Sequence, residues 1–226
     1  GANAVYWIDI VLKRPDGLVV VQNITEGAKV KVEEVTETIE PDLLYPLLRG
    51  RDIKRWQAEP SAFIIMPHTI ETKWNAIAEQ ELQVSFPRTY GYLKRFRDIL
   101  LGRRSGWYQK AKDRLPFYIM FAISDYTFAP WKVVWPWISK GIRAAVIGLF
   151  EGKPVVPEHN AFLVACDALE DAFYICALLN SSPGDFAIRS FFSTGGGGIG
   201  SPVVLDHIRI PRFDPKNPVH LHLAKL

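Results

Sequence analysis

Two clusters of cationic and aromatic side chains carry the clearest chemistry in this chain. The first is Arg49-Gly50-Arg51-Asp52-Ile53-Lys54-Arg55-Trp56. The second runs from Arg88 to Arg114 and adds Lys94, Arg95, Arg97, Arg103, Arg104, Lys110 and Lys112, against only Asp98 and Asp113. Nine positive residues against two negative make this stretch +7 in a chain of formal net charge +3, which leaves −4 for the remainder. Concentrated positive charge steers a polyanion and gains from the release of its counterions. Each cluster also holds rings that can stack on a base or sugar, Trp56 in one, Trp107 and Tyr108 in the other. A solvated helix face with Arg and Lys tails produces the same runs. Two runs with internal aromatics leave both readings open.

Other patterns are less specific. Gly195, Gly197 and Gly200 match G-x-G-x-x-G. A dinucleotide site needs that loop between a strand and a helix N-terminus, where backbone N–H groups meet the pyrophosphate. Here a predicted helix precedes it and Ser201-Pro202-Val203-Val204 follows as a predicted strand. A loop that lets backbone approach a phosphate or base, or a plain connecting loop, fits better. No Lys follows Gly200, so it is not a P-loop. Pro41-Asp42 followed by Glu71-Thr72-Lys73 has the spacing of a PD-(D/E)-x-K nuclease, which needs two acidic metal ligands and a lysine converging at a sheet edge. The alternative role of Asp42 is a first-turn dipole residue of a helix. The five histidines, His68, His159, His207, His220 and His222, are scattered, and no serine or cysteine sits in a nucleophile motif. No Pro-Pro dipeptide occurs, which excludes the (N/D/S)-P-P-(Y/F/W) motif by which amino-methyltransferases grip a flipped base.

Positioning these groups requires a folded core. The 226 residues, 48% hydrophobic and 23% charged, suit one large domain or two small ones at roughly 150 residues per domain. No apolar run approaches the roughly 18 residues a membrane span needs; Ala144 to Phe150 is the longest candidate. Cys166 and Cys176 share an apolar neighbourhood and are expected to be reduced core thiols of a cytoplasmic protein. The opening Gly1-Ala2-Asn3-Ala4, without methionine, is expected of a piece of a longer polypeptide.

The β-rich run Tyr6–Leu12 and Leu18–Val21 are predicted strands joined by a hairpin turn at Asp16-Gly17, and period-two alternation predicts a strand over Lys29–Glu33. Pro41 is expected to open a helix over Asp42–Leu48. Phe63–Met66 reads as a buried strand. Pro87 opens a helix whose Tyr92, Leu93, Phe96, Ile99 and Leu100 share one arc, ending near Gly102. Trp131–Trp135, Ile142–Phe150 and Ala161–Ala165 read as strands. Asp167 and Glu170 have capping-box spacing before a helix to about Leu179, and Ser182-Pro183 opens another to about Phe192. Val203–Leu205 and His207–Ile210 are expected to close the fold as strands. The class is α+β, with a mixed sheet and flanking helices.

Several segments, in order, resemble one family. Leu47–Trp56 resembles the "LLRGRDIKRY" segment of the TaqI-like specificity domain, the target-recognition part of N6-adenine DNA methyltransferases and fused restriction–modification enzymes. Phe86–Phe96 resembles its "yP-x-x-x-x-YLKRF" helix, followed by Arg103-Arg104 and Trp107-Tyr108. Trp131–Pro136 resembles "PKIVWP", with Trp131 where proline is usual. Pro157–Asn160, Leu178–Ser182 and Ile208–Pro211 resemble later segments. The resemblance implies a target-recognition domain over 41–226, with 1–40 a β-rich N-terminal portion or linker. It implies a twisted mixed sheet and double-stranded DNA as partner. A separate catalytic domain on the N-terminal side would bind S-adenosylmethionine, so no cofactor, metal or catalytic residue is expected in this chain. The parent would be a site-specific adenine methyltransferase, with or without nuclease activity.

Within that reading, Arg49, Arg51, Lys54, Arg55, Arg103, Arg104, Lys110 and Lys132 are the phosphate candidates, and any of the arginines could instead read guanine. Asn160 is placed to read adenine or to shape a turn, and Trp107 and Tyr108 to stack on DNA or to fill the core. Two other classes remain: a module docking a methylase or nuclease subunit, and the nuclease of Asp42, Glu71 and Lys73.

Overall fold

The computed structural model describes residues 2–191, 205 and 208–225. The chain divides into two compact units, Gly1–Tyr45 with Ala62–Asp125, and Pro46–Ser61 with Tyr126–Leu226. Its class is α+β, with parallel and antiparallel strand pairs and flanking helices.

In the first unit Trp7–Lys13 lies between Val19–Asn23 and Ala62–Ile65, and Val19–Asn23 pairs onward with Thr36–Ile39, all antiparallel. The first hairpin turns at Asp16-Gly17 as expected. Gly17 takes φ 84°, which suits glycine because it has no Cβ to clash. The alternating run Lys29–Glu33 is not a strand. The buried Asn23 intervenes, its Nδ2 donating to the carbonyls of Ala4 (3.0 Å) and Glu33 (2.9 Å) and its Oδ1 accepting from Val35 N–H (2.7 Å). A side chain thus takes the backbone groups a ladder would use, and pairing resumes only at Thr36.

Pro87 occupies the first turn of the helix Pro87–Arg95, and a second helix, Arg97–Leu101, follows after a break at Phe96. Tyr92, Leu93, Phe96 and Leu100 are buried, the arc that the spacing picked out. The first helix is capped from a distance. The Glu40 carboxylate accepts from Arg88 N–H (3.0 Å), Thr89 N–H (2.8 Å) and the Thr89 hydroxyl (2.7 Å). Partial burial pushes this carboxyl up, but the three bonds outweigh it and hold the pKa below its ordinary value.

In the second unit Trp131–Pro136 is the middle of three antiparallel strands, between Ala145–Ile147 and Ala161–Cys166. Successive side chains point to opposite faces. Val133 and Trp135 therefore join Cys166, Ala172, Cys176, Leu179 and Ile188 under the helices Leu169–Asn180 and Ser182–Phe191. Val134 joins Leu48, Ile53, Ala145, Ile147, Val155 and Ala161 on the other face. Both faces being covered, the strand reads as an apolar run. Each such side chain, fully buried, contributes about 1.5–3 kcal/mol. Cys166 and Cys176 are free and buried, and burial pushes their thiols up to about 11 and about 12, away from reactivity.

Asp42–Leu48 forms no helix. Asp42 and Leu43 make a turn and Leu44–Leu48 is a strand, whose Leu47 and Leu48 pair in parallel with Val156 and Pro157. Pro46 in the interior would have broken a helix, although Leu43, Leu44, Leu47 and Leu48, all buried, have the spacing of one helical face. The predicted strand Ile142–Phe150 shrinks to Ala145–Ile147 and Leu149–Phe150. The helix Leu169–Asn180 starts from Ala168 without a side-chain cap bond, so the capping box of Asp167 and Glu170 is not formed. Ile208–Ile210 is not a strand. Val203, Val204, His207 and the glycines 195–200 lie outside the described residues. No described helix is long and apolar enough to cross a membrane.

Candidate nucleic-acid interface

The first cationic cluster forms a tight, acid-braced turn in the second unit. Gly50–Asp52 is a single 3-10 turn, which runs into the hairpin Ile53–Lys54 with Gln57–Ala58. Two carboxylates hold it. Asp52 accepts from Arg49 N–H (3.0 Å) and from the Ser61 hydroxyl, and Glu158 accepts from Gly50 N–H (2.7 Å). A Cβ on Gly50 would lie 3.1 Å from the Asn160 carbonyl oxygen, so glycine lets the segment Glu158–Asn160 pack against the turn. Both acids accept from backbone N–H groups of the turn, and Asp52 is also paired with Arg49.

The cations then divide. Arg49 is folded inward, its guanidinium donating to the Ser61 hydroxyl (3.0 and 2.7 Å) and standing 3.6 Å from Asp52. Arg51 is the outward one: its side chain is 65% exposed and only grazes Asp52, at 3.8 Å. Lys54 is exposed. Arg55 donates to the Asn180 carbonyl and stands over the Trp56 ring, 5.7 Å from its centroid. Trp56 has φ 73° and is 53% exposed. Asn160 is half-buried, with its carbonyl accepting from Trp137 N–H (2.8 Å), so its backbone shapes the loop beside Gly50.

Lys132 is 1% exposed and its ammonium donates to the Ala129 carbonyl (2.7 Å). Burial lowers its pKa to about 8. Its side chain is turned into the fold, not towards solvent where a phosphate would lie.

The second cluster belongs to the first unit and is less positive than its sequence. Arg95 pairs with Glu33 (3.0 Å) and Glu37 (3.2 Å), and Arg97 with Glu79 (3.5 Å). Arg103 is structural: it donates to the carbonyls of Leu100, Phe117 and Ile119 at 2.7, 2.7 and 2.5 Å and lies over the rings of Tyr108 (4.2 Å) and Phe121 (4.9 Å). Arg104, Lys110, Lys112 and Arg114 are exposed. Tyr108 is core, whereas Trp107 is 52% exposed and packs edge-on against Phe121 (5.4 Å).

The nuclease constellation gains no support. Lys73 is paired with Asp125 at 2.8 Å, Glu71 is exposed on a turn, and no three His, Cys, Asp or Glu among the described residues are grouped to hold a metal. Two groups with positioning roles escaped sequence reading, Glu158 and Asp52, which brace the cationic turn; Asn180, legible as a helix-end residue, anchors the hairpin tip as well. The two acids act across a long sequence separation or through backbone, which leaves no spacing signature.

No protein-family model matches the chain. It is 26% identical over 156 residues to the Type II methyltransferase M.NspV of Nostoc sp. (strain ATCC 29411 / PCC 7524). The match covers 69% of this chain and 30% of that protein, so the chain spans less than a third of its relative's length. The similarity supports a relation to a type II methyltransferase.

Proposed function

We propose that this chain is the target-recognition part of an N6-adenine DNA methyltransferase of a restriction–modification system. It binds a short duplex sequence for a separate catalytic domain on its N-terminal side in the same polypeptide. That domain, not this chain, would bind S-adenosylmethionine, and a nuclease activity in the parent is compatible with the reading. The observation that carries it is the turn Arg49–Trp56. Asp52 and Glu158 are hydrogen-bonded to its backbone, while Arg51, Lys54 and Trp56 face outward. With Asp52 charge-paired to Arg49, the cations Arg51, Lys54 and Arg55 outnumber the remaining carboxylate, Glu158, so the turn presents net positive charge to phosphates. The partial match to a type II methyltransferase supports the same reading. Arg51 and Lys54 are the leading phosphate contacts, with Arg104, Lys110 and Trp107 as a second set on the other unit.

The test is retention of random-sequence duplex DNA by the chain at low and moderate salt, followed by sequencing of what is held. A short enriched motif is the expected result. Failure to retain DNA even at low salt would overturn the reading in favour of a module that docks a methylase or nuclease subunit.

A further inference from the structure

We propose that Trp56 is a base-stacking wedge, whose indole enters the stack of a bound duplex beside the phosphates held by Arg51 and Lys54. The proposal rests on the DNA-recognition reading above.

It starts from backbone strain. Trp56 is the second tip residue of the two-residue hairpin loop between Ile53–Lys54 and Gln57–Ala58, and its φ is 73°. Turns with positive φ at this position take Gly or Asn, because Cβ meets backbone there. A bulky aromatic in that conformation is an outlier. Such strain persists only where the surroundings over-determine it. Here they do. Trp56 N–H donates to the Ala144 carbonyl (2.9 Å), the buried Asn180 grips Ala144, and Arg55 donates to the Asn180 carbonyl. Ile53, at the base of the same hairpin, is 1% exposed.

Trp56 is nonetheless 53% exposed, so about half of this large side chain is left to solvent. The fold thus fixes a large aromatic in solvent at the tip of a rigid hairpin. Its surroundings suit a nucleic acid. Lys54 and Arg51 are exposed, Arg55 stands over the ring at 5.7 Å, and Asp52 and Glu158 are engaged by backbone N–H groups. Glu59, just past the hairpin, is the remaining exposed acid of this segment. Aromatic faces stack on any base, and wedges of this kind unstack a base step in exchange for surface contact. Trp107, the other exposed indole in a cationic cluster, differs: it lies in a helix and is packed against Phe121.

The experiment compares the whole chain on two duplexes of one sequence, one intact and one with a single abasic site, by fluorescence anisotropy. A gap in the stack removes the unstacking cost, so a wedge binds it about tenfold more tightly. The expected result is that preference in the wild type, its retention in Trp56→Phe, and its loss in Trp56→Gly. The melting temperature of Trp56→Gly should not fall, since glycine suits φ 73°. Its salt slope should match wild type, since no cation is removed. Duplex binding without any preference, or a preference that survives in Trp56→Gly, overturns the wedge and leaves DNA recognition standing. No binding to either duplex overturns both.

Discussion

Asn180 grips Ala144 by both of its backbone polar groups: Ala144 N–H donates to Asn180 Oδ1 at 2.9 Å, and Asn180 Nδ2 donates to the Ala144 carbonyl at 2.8 Å. The same carbonyl receives Trp56 N–H at 2.9 Å. One buried amide at the end of the helix Leu169–Asn180 therefore fixes the hairpin that carries the outward-facing cations. Asn180→Leu strands a buried N–H and removes two bonds, so it should cost about 2–3 kcal/mol in urea unfolding. A change below about 0.5 kcal/mol would show that water replaces the clamp.

Lys132 illustrates what the chain's linear order hides. Its place in a basic-aromatic strand made it a phosphate candidate, yet its ammonium is buried and bonded to the Ala129 carbonyl. Its pKa is lowered from 10.5 to about 8 by desolvation. Between these values the unfolded chain binds the proton and the folded chain does not, so stability rises with pH across that window and the penalty is full below it. Lys132→Met should raise stability at pH 7 by about 1–3 kcal/mol and remove that pH-dependent gain, without weakening DNA binding. Weaker binding by this variant would return Lys132 to the interface.

A second titration sits in the other unit. His68 Nδ1 is 2.8 Å from the Lys73 carbonyl, and Nε2 is 2.9 Å from Met120 N–H. A carbonyl accepts and an amide N–H donates, so the ring is neutral with its proton on Nδ1. Burial lowers its pKa below the ordinary 6.5, against the raising effect of the Lys73 and Asn75 backbone. Stability should be full above pH 6.5 and decline as pH falls below it, where only the unfolded chain gains the proton. Urea midpoints at pH 7.5 and 5.5 check this. His68→Gln should lose less across that interval than wild type, and an equal loss would exclude His68 as the cause.

Much of the fold was legible where one face or one strand decides it. The arc of Tyr92, Leu93, Phe96 and Leu100, the turn at Asp16-Gly17 and the apolar strand Trp131–Pro136 came through because local period and turn chemistry agree with burial. Asp42–Leu48 did not, because Pro41 and the helical spacing of Leu43, Leu44, Leu47 and Leu48 imitate a helix, while Pro46 and the pairing of Leu47 and Leu48 with the distant Val156 and Pro157 make a strand. The site was half legible. Arg51 and Lys54 could be picked from the charge run, but the neutralisation of Arg95 by Glu33 and Glu37, and the inward turn of Arg49 and Arg103, are decided by residues distant in sequence or by carbonyls, which carry no residue type to read.

The most direct measurement is the salt dependence of duplex binding by the wild type and by Arg51→Gln, Lys54→Gln and the double variant. Each phosphate contact adds about 0.9 to the slope of log affinity against log salt. Arg51 and Lys54 contacts should therefore each lower the slope by about 0.9 when removed, and weaken all sequences alike. A slope unchanged in the double variant, or a wild type whose binding does not respond to salt, would contradict a DNA-facing role for the Arg49–Trp56 turn.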